Sequence, residues 1–266
     1  MAFCQTATFP VMLKGIDTQA LRKRTGLKMV LVQDPETLLK YYDRIETPDD
    51  PNVMLQEYLG RSRSSWMFDG YFNHESDCLF GLTANVIRQY PAYTGVTSLG
   101  ICLRNETVAQ QTCAFMKVIG YSGALDMDYK FDPRTGLYKL TDANPRIGRT
   151  FRLFVDSLGM DVAGALYLDL TRQPIHVGQA REGRKWVVEN FDLVSSLTYC
   201  RDEKLNVMGW LGSYKGVEEA CWFARDDWTP FWAMLWCSFQ WGCGKLPTKQ
   251  PTKLVTPRTG RRRSAA

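Results

Sequence analysis

Histidine is scarce: His74 and His176 are the only two in the 266-residue chain. None of the eight cysteines, at 4, 78, 102, 113, 200, 221, 237 and 243, stands in CxxC spacing. A structural zinc site or a Cys-His catalytic pair is therefore not expected. Several of the cysteines sit among apolar neighbours, which reads as reduced core thiols of a cytoplasmic protein. The opening "MAFCQTATFPVMLKG" lacks a basic start followed by a long apolar run, so it does not read as a signal peptide. Residues 228–244, "WTPFWAMLWCSFQWGCG", are 17 uncharged positions with four tryptophans, but they include Pro230 and Gln240. They fall short of the ~20 apolar residues of a spanning helix. A buried or interface helix is expected there, with peripheral contact at a bilayer through the tryptophans as the alternative.

Acidic residues are missing from the end of the chain. "KLPTKQPTKLVTPRTGRRRSAA", 245–266, holds seven of the 33 Lys and Arg and none of the 28 acids. The remaining 26 basic residues face 28 acidic ones, so the basic pI belongs to the tail. The tail has almost nothing to bury and is expected to be disordered. Nucleic acid is not an expected partner, because short basic runs occur widely as solvated termini. The rest, 45% hydrophobic and 23% charged overall, has the composition of an ordinary globular protein.

"FPVMLKG" is a short apolar run that delivers Lys14 at its end, and "LKMVLV" reads as a second strand. "DPETLLKYYDRIE" opens on Asp34 as N-cap with Pro35 at the first helical position. Leu38, Leu39, Tyr42 and Ile45 would form its apolar face. "VMLQEYL" reads as a strand, and "SWMFDGYFN" with "CLFGLTANVIRQY" as an antiparallel meander. "NETVAQQTCAFMKVIG" is a helix capped by Asn105 and closed by Gly120, with Val108, Phe115, Met116 and Ile119 inward. Strands over 123–131 and 137–144 follow, joined by "DPRTG". The class is α+β, with helix-supported antiparallel sheets.

In "ALDMDYKFDPRTGLYKLTDANPRIGRTF" the first strand alternates Leu125, Met127, Tyr129 and Phe131 with Asp126, Asp128 and Lys130. Tyr138, Leu140, Asp142 and Asn144 share one face of the second. Pairing across the turn puts Asp128 opposite or diagonal to Asp142. Two carboxylates so placed repel, and with an Asn amide they suit a hard cation such as Mg²⁺. Arg146, Arg149 and Arg152 follow and would pair with anionic oxygens. A hairpin whose charged face meets solvent accounts for the same pattern equally well.

The hairpin "GALDMDYKFDPRTGLYKLTDANPRIGR" resembles the closing hairpin of the ATP-grasp superfamily, in which an acid on one strand precedes an acid-x-Asn-x-Arg run on the next. By that resemblance Asp128 and Asp142 are metal-binding acids, Asn144 a further ligand, and Arg146 a contact to phosphate or substrate. "FPVMLKG" resembles the strand whose lysine, here Lys14, touches nucleotide phosphates. "VMLQEYLGR" resembles the hinge, with Gln56, Glu57 and Leu59 around adenine, and "ANVIRQYP" places Arg88 near the transferred phosphate. The resemblance covers about residues 9–175 and is closest to predicted carboxylate-amine ligases related to biotin carboxylase and D-aspartate ligase. A weaker likeness to their C-terminal extension runs over 185–231, where Trp186, Asp192, Trp210, Asp226 and Asp227 read as structural.

The resemblance implies ATP and Mg²⁺, or Mn²⁺, as cofactors, and a carboxylate activated as an acyl phosphate that an amine then attacks. It implies an ATP-grasp domain over 1–175, an extension over 176–244 and the tail over 245–266. Only about ten residues precede the Lys14 strand where relatives carry a separate domain, so a partner subunit or an N-terminal part would complete the pocket. "GIDTQALRKRTGLK" holds only Gly15 and Gly26 where a Gly-rich phosphate cover is usual, leaving Lys28 to contribute charge. Besides a ligase, two other readings stand: a descendant that binds nucleotide or a partner without turnover, and a peripheral membrane protein held by the Trp-rich helix and basic tail.

Overall fold

The computed structural model describes residues 2–27, 29–60, 64–203 and 205–244. The expected disordered tail and Lys28 lie outside them. The described chain divides into two compact units, 1–60 and 61–244.

The first unit runs α1 (Ala2–Thr6), β1 (Val11–Gly15), α2 (Thr18–Thr25), β2 (Met29–Val32), α3 (Pro35–Ile45) and β3 (Val53–Glu57). Its sheet is antiparallel, ordered β2-β1-β3. Val11 and Leu13 alternate into a core with Leu21, Val32, Leu38 and Ile45, and so leave Met12 and Lys14 on the opposite face. Asp34 caps α3 by accepting from the Thr37 amide at 2.8 Å. Tyr41, rather than Tyr42, packs on the core, and Tyr42 is exposed. The segment read as a phosphate cover is helical in α2. Asp17 accepts from the Gln19 and Ala20 amides, and Gly26 at φ 75° supplies the left-handed residue that ends the helix.

The second unit holds β4 (Ser65–Phe72), β5 (Cys78–Tyr90), β6 (Val96–Cys102), α4 (Glu106–Ile119), β7 (Gly123–Asp132), β8 (Leu137–Asn144), α5 (Val162–Leu170), β9 (Lys185–Val187), α6 (Glu189–Glu203), α7 (Val207–Ser213), β10 (Val217–Ala220) and α8 (Thr229–Gly244). The seven strands are ordered β10-β9-β6-β5-β4-β7-β8. All neighbours are antiparallel except β10 on β9. Strands from the C-terminal extension thus complete the same sheet as the hairpin.

Helix α4 covers one face of that sheet over Phe68, Phe72, Leu125, Met127 and Tyr129. Asn105 caps it at the Val108 amide and Gly120 ends it in the left-handed region, as its sequence dictates. Its buried stripe is Val108, Thr112 and Met116, one residue every fourth position. Phe115 and Ile119 fall off that line and are exposed, contrary to the sequence expectation. On the other face α5 packs over Tyr71 and Phe80 through Val162 and Ala165. The described cysteines are free thiols.

Candidate functional site

The hairpin register answers the question its sequence posed. Asp128 stands directly opposite Asp142, and Asp126 opposite Asn144. A bulge follows at Asp128/Tyr129, and the Thr141 hydroxyl there donates to the Asp128 carbonyl at 3.0 Å. Because side chains alternate, all four residues share the sheet face away from α4.

β4 extends the acidic row inward. Asp69 pairs with Asp126 across the β4–β7 ladder, so Asp69, Asp126 and Asn144 line up over three strands. Asp69 has no exposed surface, and neither of its carboxylate oxygens has a hydrogen-bond partner. Asp161, the N-cap of α5, supplies a further charge acting on Asp69.

These groups strongly perturb one another. Burial, then the Asp126 and Asp161 charges, push the Asp69 carboxyl well above the usual carboxylate range. Burial raises Asp126 to about 6, with Asp142 adding to the effect while Arg146 and Arg149 oppose it. Burial, Asp126 and Asp142 raise Asp128 to about 7. Burial is the first cause at each of the three, and repulsion among the carboxylates adds to it.

The arginines divide their work. Arg146 Nη2 donates to Asn144 Oδ1 at 3.1 Å, while Nη1 lies 3.9 Å from Asp126 Oδ2. Asn144 Nδ2 in turn donates to Asp142 Oδ2 at 3.3 Å. Arg149 lies over the Phe191 ring at 5.4 Å and Arg152 pairs with Glu219 at 2.7 Å. The chain passes close to Asp126 at Gly148, where any Cβ would overlap the carboxylate.

Among the described residues no three His, Cys, Asp or Glu side chains form a ready-made metal cage. The donor set nevertheless fits Mg²⁺, which is held by one or two carboxylates and completes its octahedron with water and phosphate oxygens. Asp128, Asp142 and Asn144 supply that oxygen chemistry, and the raised carboxyls are the mark of an uncompensated site.

In the first unit, Lys14 and Gln56 share a sheet face, since Lys14 pairs with Met54 and Met12 with Gln56. Glu57 ends β3 opposite Val11 and is exposed, and Leu59 follows the strand just before Gly60 at φ 74°.

Arg88, assigned to phosphate by the resemblance, is buried. It is 3% exposed and donates through Nε and Nη2 to both oxygens of Asp192, at 2.8 and 2.7 Å. Nη2 also reaches Ser213 Oγ at 2.8 Å, and the guanidinium lies over the Tyr214 ring. Asp192, fully buried, further accepts from Ser98 and Tyr214. The acid of α6 holds this arginine at the junction with the extension, where the resemblance had assigned it to phosphate.

Asp126 and Asp69 were missing from the sequence-derived site. Asp126 carried a signal, as it lies two positions from Asp128 on the same strand face. Asp69 carried a fainter one, a lone acid in the aromatic strand "SWMFDGYF".

No protein-family model matches the chain. A D-aspartate ligase of Enterococcus faecium is 42% identical over 59 residues, which are 22% of this chain and 14% of the ligase. The biotin carboxylase domain of Hydrogenobacter thermophilus 2-oxoglutarate carboxylase, solved with MgADP, ADP and bicarbonate, superposes with a TM-score of 0.50 at 16% identity. That match covers 69% of this chain and 42% of the other. N5-carboxyaminoimidazole synthase of Aspergillus clavatus, solved with ADP and 5-aminoimidazole ribonucleotide, gives a TM-score of 0.48 at 11% identity over 68% of this chain and 46% of that one. The chain spans less than half the length of each of these proteins. The helix-supported sheets of the chain thus share the fold of that biotin carboxylase domain, and its closing hairpin carries opposed acids.

Proposed function

We propose that the protein is an ATP- and Mg²⁺-dependent ligase that joins a carboxylate to an amine through an acyl phosphate. The observation that carries this reading is the facing Asp128–Asp142 pair, backed by Asp126, on a sheet face whose buried carboxyls repel one another. A magnesium ion bound by Asp128, Asp142 and Asn144 would offset the charge of the β- and γ-phosphates.

The chain's own groups have defined tasks in this reading. Arg146, with its side chain 61% exposed and tethered to Asn144, would meet an anionic oxygen of phosphate or carboxylate. Asn144 orients Asp142 by donating to it. In the first unit Lys14 is assigned to nucleotide phosphate, and Gln56, Glu57 and Leu59 to adenine. Arg88 has no part in phosphate transfer, because its guanidinium is spent on Asp192. Phosphoryl transfer requires positioning and charge stabilisation rather than a protein nucleophile, in keeping with a chain so poor in histidine.

The test is Mg²⁺-dependent ADP release stimulated by a carboxylate and amine pair. Asp142→Asn should abolish it, at a cost of about 10²-fold or more for one lost charge at a preorganised site. Turnover unchanged by that substitution would remove the metal assignment. Thermal stabilisation by MgATP without ADP release from any mixture would instead support binding without turnover.

A further inference from the structure

Helix α8 meets the rest of its unit through one side only. Met234 is 7% exposed, and Phe231 is the other partly covered residue of its described positions, packing edge-on against Phe223. At 100° per residue, Trp232, Trp236 and Phe239 fall within about 40° of the side opposite Met234, with Leu235 on the flank of the same stripe. They are between 40% and 64% exposed. A helix that is apolar all round is normally covered all round, and this side of α8 is turned away from its core.

Four properties of the chain decide what covers the stripe. No Lys, Arg, Asp or Glu interrupts residues 228–244, and the apolar side is mainly aromatic, the composition favoured where hydrocarbon meets headgroups. Sixteen helical residues reach ~24 Å at 1.5 Å each, short of the ~30 Å hydrocarbon core. Among the described residues no helix is long and apolar enough to cross a membrane. The sequence runs directly from α8 into 22 residues with seven Lys or Arg and no acid, while the rest of the chain has slightly more acids than bases.

We propose that α8 is a docking surface for an anionic lipid bilayer, lying in the plane of the headgroups with Trp232, Trp236 and Phe239 inserted, and that the positive charge of the sequence after it supplies the attraction to the lipid phosphates. Apolar burial and charge attraction then add, the two signals that stable reversible membrane binding requires. Stripe-to-stripe pairing of two copies is the disfavoured occupant, because it gathers two tails of seven positive charges at one interface.

The full chain should co-sediment with vesicles of phosphatidylcholine and phosphatidylserine and stay in solution with phosphatidylcholine alone. The triple substitution W232S/W236S/F239S should weaken partitioning at least ~10-fold. Its circular dichroism and melting temperature should match wild type, since all three side chains are exposed. Changing the seven tail bases to Gln should also weaken binding and remove its salt dependence. Failure of the wild type to bind anionic vesicles, or equal sedimentation of the triple variant, overturns the proposal. So does a stripe whose removal only converts a dimer to a monomer in sedimentation velocity.

Discussion

Replacing Asp192 by Ala removes one half of a fully enclosed ion pair and leaves the Arg88 guanidinium 3% exposed without its counter-charge. Four donors lose their acceptor: Arg88 Nε and Nη2, the Ser98 hydroxyl and the Tyr214 hydroxyl. Only Ser213 remains to Arg88. Breaking a buried pair in this way costs ~3–5 kcal/mol, most of it the desolvation of the abandoned charge. For a unit of this size each kcal/mol moves the melting temperature by ~2–4 °C, so a fall of ~6–20 °C is expected. Urea unfolding followed by tryptophan fluorescence measures the same quantity as a shift in midpoint at constant slope. The paired change Arg88→Met with Asp192→Leu should recover most of the loss, because a hydrophobic pair of similar volume replaces the charges. A loss below ~1 kcal/mol for Asp192→Ala would refute the buried-pair account. An Arg88→Lys variant that keeps full stability but loses phosphate transfer would return Arg88 to the phosphates.

The acidic face should make stability fall as pH rises. Asp126 and Asp128, at about 6 and about 7, keep protons in the folded state that the unfolded chain releases near its ordinary value of 3.8. Their contribution is whole below that value and lost as pH climbs through about 7. Denaturant midpoints in chelator should therefore drop between about pH 4 and about pH 7, with Asp128→Asn flattening the slope and Mg²⁺ restoring stability at the upper end. An unchanged slope in the variant would contradict the assignment. Asp69→Leu should stabilise the metal-free protein by ~1–3 kcal/mol, because it removes a buried carboxyl with two orphaned oxygens. Destabilisation in the same urea assay would mean that Asp69 has a partner in solution.

Short-range chemistry made much of the fold legible. Asp34-Pro35, Asn105 with Gly120, and the period-two alternation of β7 and β8 each specify an element by capping or pleat, and the structure has all of them. The Asp128–Asp142 pairing was legible for the same reason, since a short turn fixes a hairpin's register. Contacts distant in sequence were hidden. Nothing near Arg88 announces an acid 104 residues later, and a basic residue at the end of a strand looks alike whether it meets phosphate or carboxylate. Asp69 was hidden because its neighbour Asp126 arrives from β7, which lies beyond two intervening strands and a helix. Which side of α8 the core takes was not legible, because the segment is apolar all round and carries no two-sided periodicity.

The order β10-β9-β6 also bears on how the chain stays out of aggregates. Without β9, strand β6 would be the last strand of the sheet, and its seven residues Val96–Cys102 carry no charge at all. Such a rim is a template for a second chain to extend by backbone pairing. Short β9 and β10 stand over it instead, and Lys185, Glu218 and Glu219 put charge on the outermost strands where β6 has none. Residues 185–220 thus act as a selvedge, keeping an apolar sheet from continuing into its neighbours.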